Sequence, residues 1–258
     1  MNIWVFSIIK RHSLFLYHSV HSSFPQSLTL LYSPGYTAPC MCRIPASLKN
    51  YISSQSFEHY QTKDKSMHTP YPFNSRYTMN WFLLSLLNDH LNQLLNRYSR
   101  IQALRLDLFY QKGTERYKHY SWNDTEREVR VLVERTLQHT NLAGHFWVLD
   151  NSVDHGCHAH IVFYLDRHLN QATYPIAERV GTIWREITQR EGYYNRCEYK
   201  PSYEVSIDKP VNYDDTEAID NLRYIISYLA KEEQKHGHYH YGASEVPPPS
   251  GLGRPRTV

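Results

Sequence analysis

The feature that most constrains the fold of this chain is a pair of strand-like runs joined by a short polar loop. Gly144 opens the first, His145 to Asp150. The loop is Asn151-Ser-Val-Asp-His-Gly156, and His158 to Leu165 is the partner strand. The flanking periodicities say what packs against this hairpin. Leu83, Leu84, Leu87, Leu91, Leu94, Leu95 and Tyr98 recur at three- and four-residue steps and predict an amphipathic helix over 79–98. Ile101–Tyr110 follows as a strand, with Arg105 and Asp107 alternating outward from Leu104, Leu106 and Leu108. Asn123-Asp124-Thr125 can cap a helix to about residue 140, with Val129, Leu132, Val133 and Leu137 inward. Pro175 starts another helix, to about residue 190, burying Ile176, Val180, Ile183, Trp184 and Ile187. A short strand over 202–207 and a last helix over 215–234, with Ala218, Leu222, Ile225 and Leu229 as its core stripe, complete the series. After the leading helix the order is strand, helix, strand, strand, helix, strand, helix. That order predicts an α+β fold of the ferredoxin-like, split βαβ kind: a mostly antiparallel sheet with helices on one face.

The chain has 258 residues, 41% hydrophobic and 21% charged, the balance of a folded protein with a core of its own. Its net charge of +3 is too small to argue for nucleic acid by itself, but 22 Tyr and 16 His are a surplus of side chains that stack, bind metals or attack phosphorus. Cys40, Cys42, Cys157 and Cys197 form no CxxC pair, as expected of a reducing compartment. The apolar stretch Ile3–Ile9 is broken by Lys10-Arg11-His12, too early for a signal peptide or for a membrane span of about 20 residues. The expectation is a soluble cytoplasmic protein with no membrane partner. Residues 1–75 follow no period for long and read as a poorly structured or spurious N-terminal extension, with Met67 or Met79 as the better initiator. Residues 76–246 read as the working domain and 247–258 as a flexible basic tail.

His158 and His160 stand two apart at the start of a strand, so their imidazoles share one face and can share one cation; Ile161 and Phe163 take the other face. Two histidines on a solvated face would be the ordinary explanation. The glycine loop before them, and Asp150 at the end of the paired strand, favour a metal site. Two His and a carboxylate suit Mn²⁺ or Mg²⁺ with positions open to phosphate oxygens.

On the last predicted helix Tyr224, Tyr228 and Lys231 fall at i, i+4 and i+7, within about 60° of one another. A tyrosine stripe is commonly core edge. Lys231 changes that reading, because a cation one turn after Tyr228 can stabilise a phenolate or hold a scissile phosphate. Arg105 is either half of a surface ion pair with Asp107 or a contact to a DNA backbone. Tyr193-Tyr-Asn-Arg-Cys-Glu-Tyr-Lys200 is either a single-strand platform, with Arg196 or Lys200 on phosphate, or an exposed loop. His236-Gly-His-Tyr-His240 reads as a loop. No Walker-type sequence is present, so no ATP site is expected.

Together, Leu104-Arg-Leu-Asp107, Phe146-Trp-Val-Leu-Asp150, Gly156-Cys-His-Ala-His160, Tyr228-Leu-Ala-Lys231 and Tyr241-Gly-Ala-Ser244 resemble the HUH endonucleases that start rolling-circle replication. The spacing looks most like the inovirus gene-two and YagK/YfjJ type of phage and prophage replication protein, over about residues 80–256. The residue between the histidines, Ala159, is smaller than the bulky hydrophobe of the family. The resemblance implies a metal, Mg²⁺ or Mn²⁺, on His158, His160 and Asp150. It implies Tyr228 as nucleophile, leaving a 5′-phosphotyrosine, and Lys231 on the phosphate. Tyr224 is then a second nucleophile or a packing residue. The implied partners are single-stranded or supercoiled origin DNA with host helicase and polymerase, in a bacterial cytoplasm. Two rival expectations are a non-catalytic prophage DNA-binding regulator on the same scaffold and a metal-dependent phosphodiesterase that uses water.

Overall fold

The structure is a computed structural model that describes residues 71–201 and 203–249, all within the unit Lys65–Val258. The expected extension over 1–75 lies almost wholly outside the described residues, as do Cys40, Cys42, Met67 and the end of the expected basic tail.

Helix α1, Trp81–Arg97, is capped by Asn80, whose side chain accepts from the Leu83 amide, and it buries Leu83, Leu84, Leu87, Leu91, Leu94 and Leu95. Strand β1 is Arg100–Tyr110 and is followed by a short helix, α2, Glu115–His119. Helix α3, Trp122–His139, starts one residue earlier than the expected cap: Ser121 and Asp124 form a reciprocal capping box. The hairpin is β2, Leu142–Ser152, with β3, Gly156–Asp166. Then come α4, Tyr174–Ile187; β4, Gly192–Arg196; β5, Val211–Asn212; α5, Thr216–Ile226; a 3₁₀ turn, Ser227–Ala230; and β6, Tyr241–Ala243.

The fold is α+β, with an open antiparallel sheet of six strands in the order β4-β1-β3-β2-β6 and β5 paired to β1. It is compatible with a split βαβ arrangement. Helices cover both faces, where one had been expected. α3 and α4 pack on Leu104, Leu106, Leu108, Ile161 and Phe163. α1 and α5 pack on Ile101, Ala103, Val148, Val162 and Tyr164. β1 therefore has no solvated face. Asp107 is 9% exposed and the Arg105 side chain 14%, so neither points outward into water as its alternation suggested. Leu137, expected inward, is 46% exposed and lines a groove between α3 and β6.

The fourth strand is β4 and not residues 202–207, where 203–205 bend and only Ile207 is buried among the described positions. One apolar side chain cannot hold a strand on a core. β4 instead pairs along the free edge of β1 and is docked by Tyr194, whose ring lies directly on the helical backbone of α4 at Gly181 and whose hydroxyl donates to Glu178. A Cβ on Gly181 would lie 1.9 Å from that ring. Alanine normally gains about 1 kcal/mol over glycine inside a helix. Here overpacking of about 1–3 kcal/mol outweighs the gain. Gly181→Ala is therefore expected to lower the urea midpoint, and the same substitution in a Tyr194→Ala background to raise it. A stabilised Gly181→Ala single variant would mean that Tyr194 is not docked there.

Candidate metal and nucleophile site

The α1/α5 face of the sheet is apolar along one half and polar along the other. On β1 the sequence of that face runs Ile101, Ala103, Arg105, Asp107, Phe109; on β3 it runs Tyr164, Val162, His160, His158. Register aligns these strands so that Asp107 lies opposite His160 and Asp150 opposite His158. Among the described residues, Asp150, His158 and His160 form the group able to hold a metal ion, their ligand atoms all within 4.8 Å of one another. They are 0%, 2% and 3% exposed.

The hydrogen-bond partners orient both imidazoles. His158 Nδ1 is 2.9 Å from the Gly156 carbonyl oxygen, which can only accept, so this nitrogen carries the proton. His160 Nδ1 is 2.6 Å from Asp107 Oδ1 and donates to it in the same way. Each ring therefore turns Nε2 toward the group, the arrangement in which a carbonyl or carboxylate behind a metal-ligating histidine fixes its tautomer. Burial, reinforced by His160, pushes His158 down to about 4, so it is a neutral donor at pH 7. Burial would raise both carboxyls, but His160 and Arg105 hold Asp107 well below the usual carboxylate range. His160, Lys235 and Lys231 do the same for Asp150.

Asp150 is the focus of charge. Lys235 Nζ donates to its Oδ1 at 2.6 Å. Lys231 Nζ is 2.7 Å from Oδ2 as an ion pair, yet that buried oxygen accepts no hydrogen bond of good geometry. His160 Nε2 stands 3.1 Å from the same oxygen, and the Lys231 ammonium lies beside both atoms. An under-coordinated carboxylate oxygen beside two inward-facing imidazole nitrogens is a fitting donor set for a divalent cation.

The nucleophile candidate reaches this group through backbone that the helical pattern did not foresee. The helix expected to run to residue 234 ends at Ile226 and tightens into the 3₁₀ turn, and Lys231 is extended at φ −58° and ψ 140°. The start of α1 clamps that segment: the Asn80 amide donates to the Ala230 carbonyl at 2.7 Å, and the Glu232 amide to the Thr78 carbonyl at 2.8 Å. Left-handed backbone at Gln234, φ 73°, and His236, φ 49°, then turns the chain so that Lys235 reaches Asp150 from beside β2. Lys231 Nζ donates to the Tyr228 hydroxyl at 2.9 Å and lies 3.4 Å from His160 Nε2. The Tyr228 ring stands edge-on to His160 and to Tyr77, with the Arg105 guanidinium 4.2 Å from its centre.

The structure thus brings together His158, His160, Asp150, Tyr228, Lys231 and Arg105. Arg105 packs on the tyrosine ring and pairs with Asp107 at 3.3 Å; it does not lie on an outer surface. Tyr224 is outside the cluster, its hydroxyl donating to Glu204 at 2.7 Å. Arg196 has the parity of Tyr194 and bonds Thr173 at 2.9 Å, and Lys200 is exposed beside Tyr203, so neither joins the site. His236–His240 is a loop, with His240 flat on Trp122 and bonded to Glu126. Sequence reasoning missed Lys235, and missed Asp107 as the partner of His160. Asp107 shares strand parity with Arg105, but only the β1–β3 register shows what it faces. Cys197, whose thiol donates to Asp107 Oδ2 at 3.2 Å, gave no signal. No protein-family model, curated protein or solved structure matches the chain. No helix among the described residues is long and apolar enough to cross a membrane.

If Asp107 sets the His160 tautomer, Asp107→Asn is expected to weaken Mn²⁺ binding roughly tenfold or more by calorimetry. Wild-type affinity in that variant would remove Asp107 from the site.

Proposed function

We propose that the protein is a metal-dependent, site-specific single-strand DNA endonuclease and strand transferase that initiates rolling-circle replication of a filamentous phage or related prophage. The observation that carries this reading is the Tyr228 hydroxyl, 2.9 Å from a buried lysine ammonium that also touches both a histidine and the aspartate of the candidate metal group. A phenol with a pKa near 10 is a weak nucleophile at neutral pH. It needs a cation at the phosphate and a fixed approach, and this site has both. A divalent ion, Mg²⁺ or Mn²⁺, on His158, His160 and Asp150 supplies Lewis acidity toward a phosphate oxygen.

The chain's own groups account for the rest. Tyr228 Oη bonds to phosphorus, the bond from phosphorus to the 3′ oxygen breaks, and the phenol proton ends on that oxygen. The products are a 5′-phosphotyrosyl protein and a free 3′-hydroxyl able to prime synthesis. Lys231 donates to the phosphate as it does to Tyr228, and Arg105 holds the ring in place. Around the site Arg105, Lys231 and Lys235 outnumber Asp107 and Asp150, so the cluster favours an anion even before a metal binds.

The sheet supports the same reading. Its core order β4-β1-β3-β2, all antiparallel, is that expected of a ferredoxin-like split βαβ fold, and it sets the His-x-His strand between the strands that carry Asp107 and Asp150. The partners are then origin DNA, single-stranded or supercoiled, and host helicase and polymerase, in a bacterial cytoplasm.

The test is a denaturant-resistant protein–DNA adduct, formed with Mn²⁺ and labelled single-stranded DNA of the genetic element that encodes the protein. Wild type and Tyr224→Phe are expected to form it. Tyr228→Phe is expected to form none, Lys231→Gln to form it at least about 100-fold more slowly, and the His158→Ala, His160→Ala double variant to be inactive. An adduct at full yield in Tyr228→Phe would overturn the nucleophile. Nicking with no adduct would make the protein a water-using phosphodiesterase, and DNA binding with neither would make it a non-catalytic regulator.

A further inference from the structure

A row of side chains crosses the sheet from its outer edge to the candidate metal group. Tyr193 on β4 lies opposite Phe109 on β1. Phe109 falls one step past the pair Leu108 and Ala159, beside His158 on β3, and His158 lies opposite Asp150 on β2. The rings are stacked along the row, Tyr193 on Phe109 at 5.1 Å and 22°, and Phe109 on His158 at 5.3 Å and 27°. Exposure falls inward, 38% at Tyr193, 9% at Phe109 and 2% at His158. The next row has the same layout: Asn195, exposed on β4, lies opposite Asp107, which lies opposite His160. His155, in the exposed β2–β3 turn, sets its ring 4.8 Å from Phe109.

Phe109 and His158 are buried in the sheet face, but Tyr193 at the outer end of the row is exposed. Tyr194, of the opposite parity, already docks β4 on α4, which leaves Tyr193 and Asn195 on the side of the sheet that carries the metal group. An exposed aromatic ring already stacked from behind is pre-ordered for a flat ligand and loses little side-chain freedom on binding it. Flat ligands that also carry the phosphodiester handled next door are nucleotides, and bases stack on such platforms in single strands. An exposed carboxamide one pleat away offers both a donor and an acceptor to a base edge.

We infer that Tyr193, backed by Phe109, seats a nucleobase of single-stranded DNA beside the phosphodiester at Tyr228, and that Asn195 reads the edge of that base. This deepens the nicking reading and rests on it for the chemistry, but the base site can be tested without cleavage.

Binding is read by fluorescence anisotropy of labelled oligothymidylate of about twelve nucleotides, a length within the usual span of such sites. The protein is the Tyr228→Phe variant in EDTA. Tyr193→Ala is expected to weaken binding about tenfold, while Tyr193→Phe, which keeps the ring, stays within about twofold of the parent. 2-Aminopurine placed within the oligonucleotide is expected to be quenched by the parent and by Tyr193→Phe, and much less by Tyr193→Ala. Asn195→Ala is expected to narrow the spread of affinities among oligo-dT, oligo-dC and oligo-dA. Unchanged affinity and quenching in a folded Tyr193→Ala protein, checked by its urea midpoint, overturns the base site whatever the adduct assay gives. Tyr193-dependent binding from a protein that forms no adduct overturns the nicking reading and keeps the base site. Oligonucleotides that do not bind at all overturn the base site and leave the nicking reading to the adduct assay.

Discussion

Asp150 is a carboxylate with no exposed surface, and much of the domain is arranged around that fact. An uncompensated buried charge costs several kcal/mol or more, so its partners must be held firmly. They arrive from three directions: His160 from the neighbouring strand, Lys231 from the turn after α5, and Lys235 from the left-handed loop beyond it. Two of these partners are lysines buried to 2% and 1%, each tolerable there only because of Asp150. Removing Asp150 would take the carboxylate partner from both lysines at once. The group therefore fixes where the chain after α5 must run, and with it the place of Tyr228.

One sheet face serves two purposes because strand parity does not change along a strand. The positions that give α1 and α5 their apolar floor at Ile101 and Ala103 become, three turns of the pleat later, Asp107 and Phe109. The rigid half of the face is continuous with the polar half through the same hydrogen-bonded ladder. Anchored in a leucine-lined core, that ladder holds the polar half of the face in place with no disulfide among the described residues. Cys157 and Cys197 are both free.

Local patterns made the hairpin, the two long helices on its flanks and the shared face of His158 and His160 legible, since each depends on a period of 2 or 3.6 residues. Asp150 was legible as the end of the expected strand, although β2 runs on to Ser152. What could not be read depends on contacts distant in sequence. The helices divide between both faces because their apolar stripes say that they pack and not where. β4 is recognised only by the unpaired edge of β1. The early end of α5 reflects capture of residues 230–232 by Thr78 and Asn80, about 150 positions upstream. No sequence signal singled out Lys235, and Asp107 read as half of a surface pair with Arg105.

That capture bears on how the domain can be cut out of the chain. Asn74 donates its amide to Ser227, Arg76 pairs with Glu204, Tyr77 packs against the Tyr228 ring, and the Thr78 amide donates to Glu233 before α1 begins. The leading strap is thus a splint for the segment that carries Tyr228. A fragment started at Met79 would keep every strand and every long helix and still lose this splint, whereas one started at Met67 retains it.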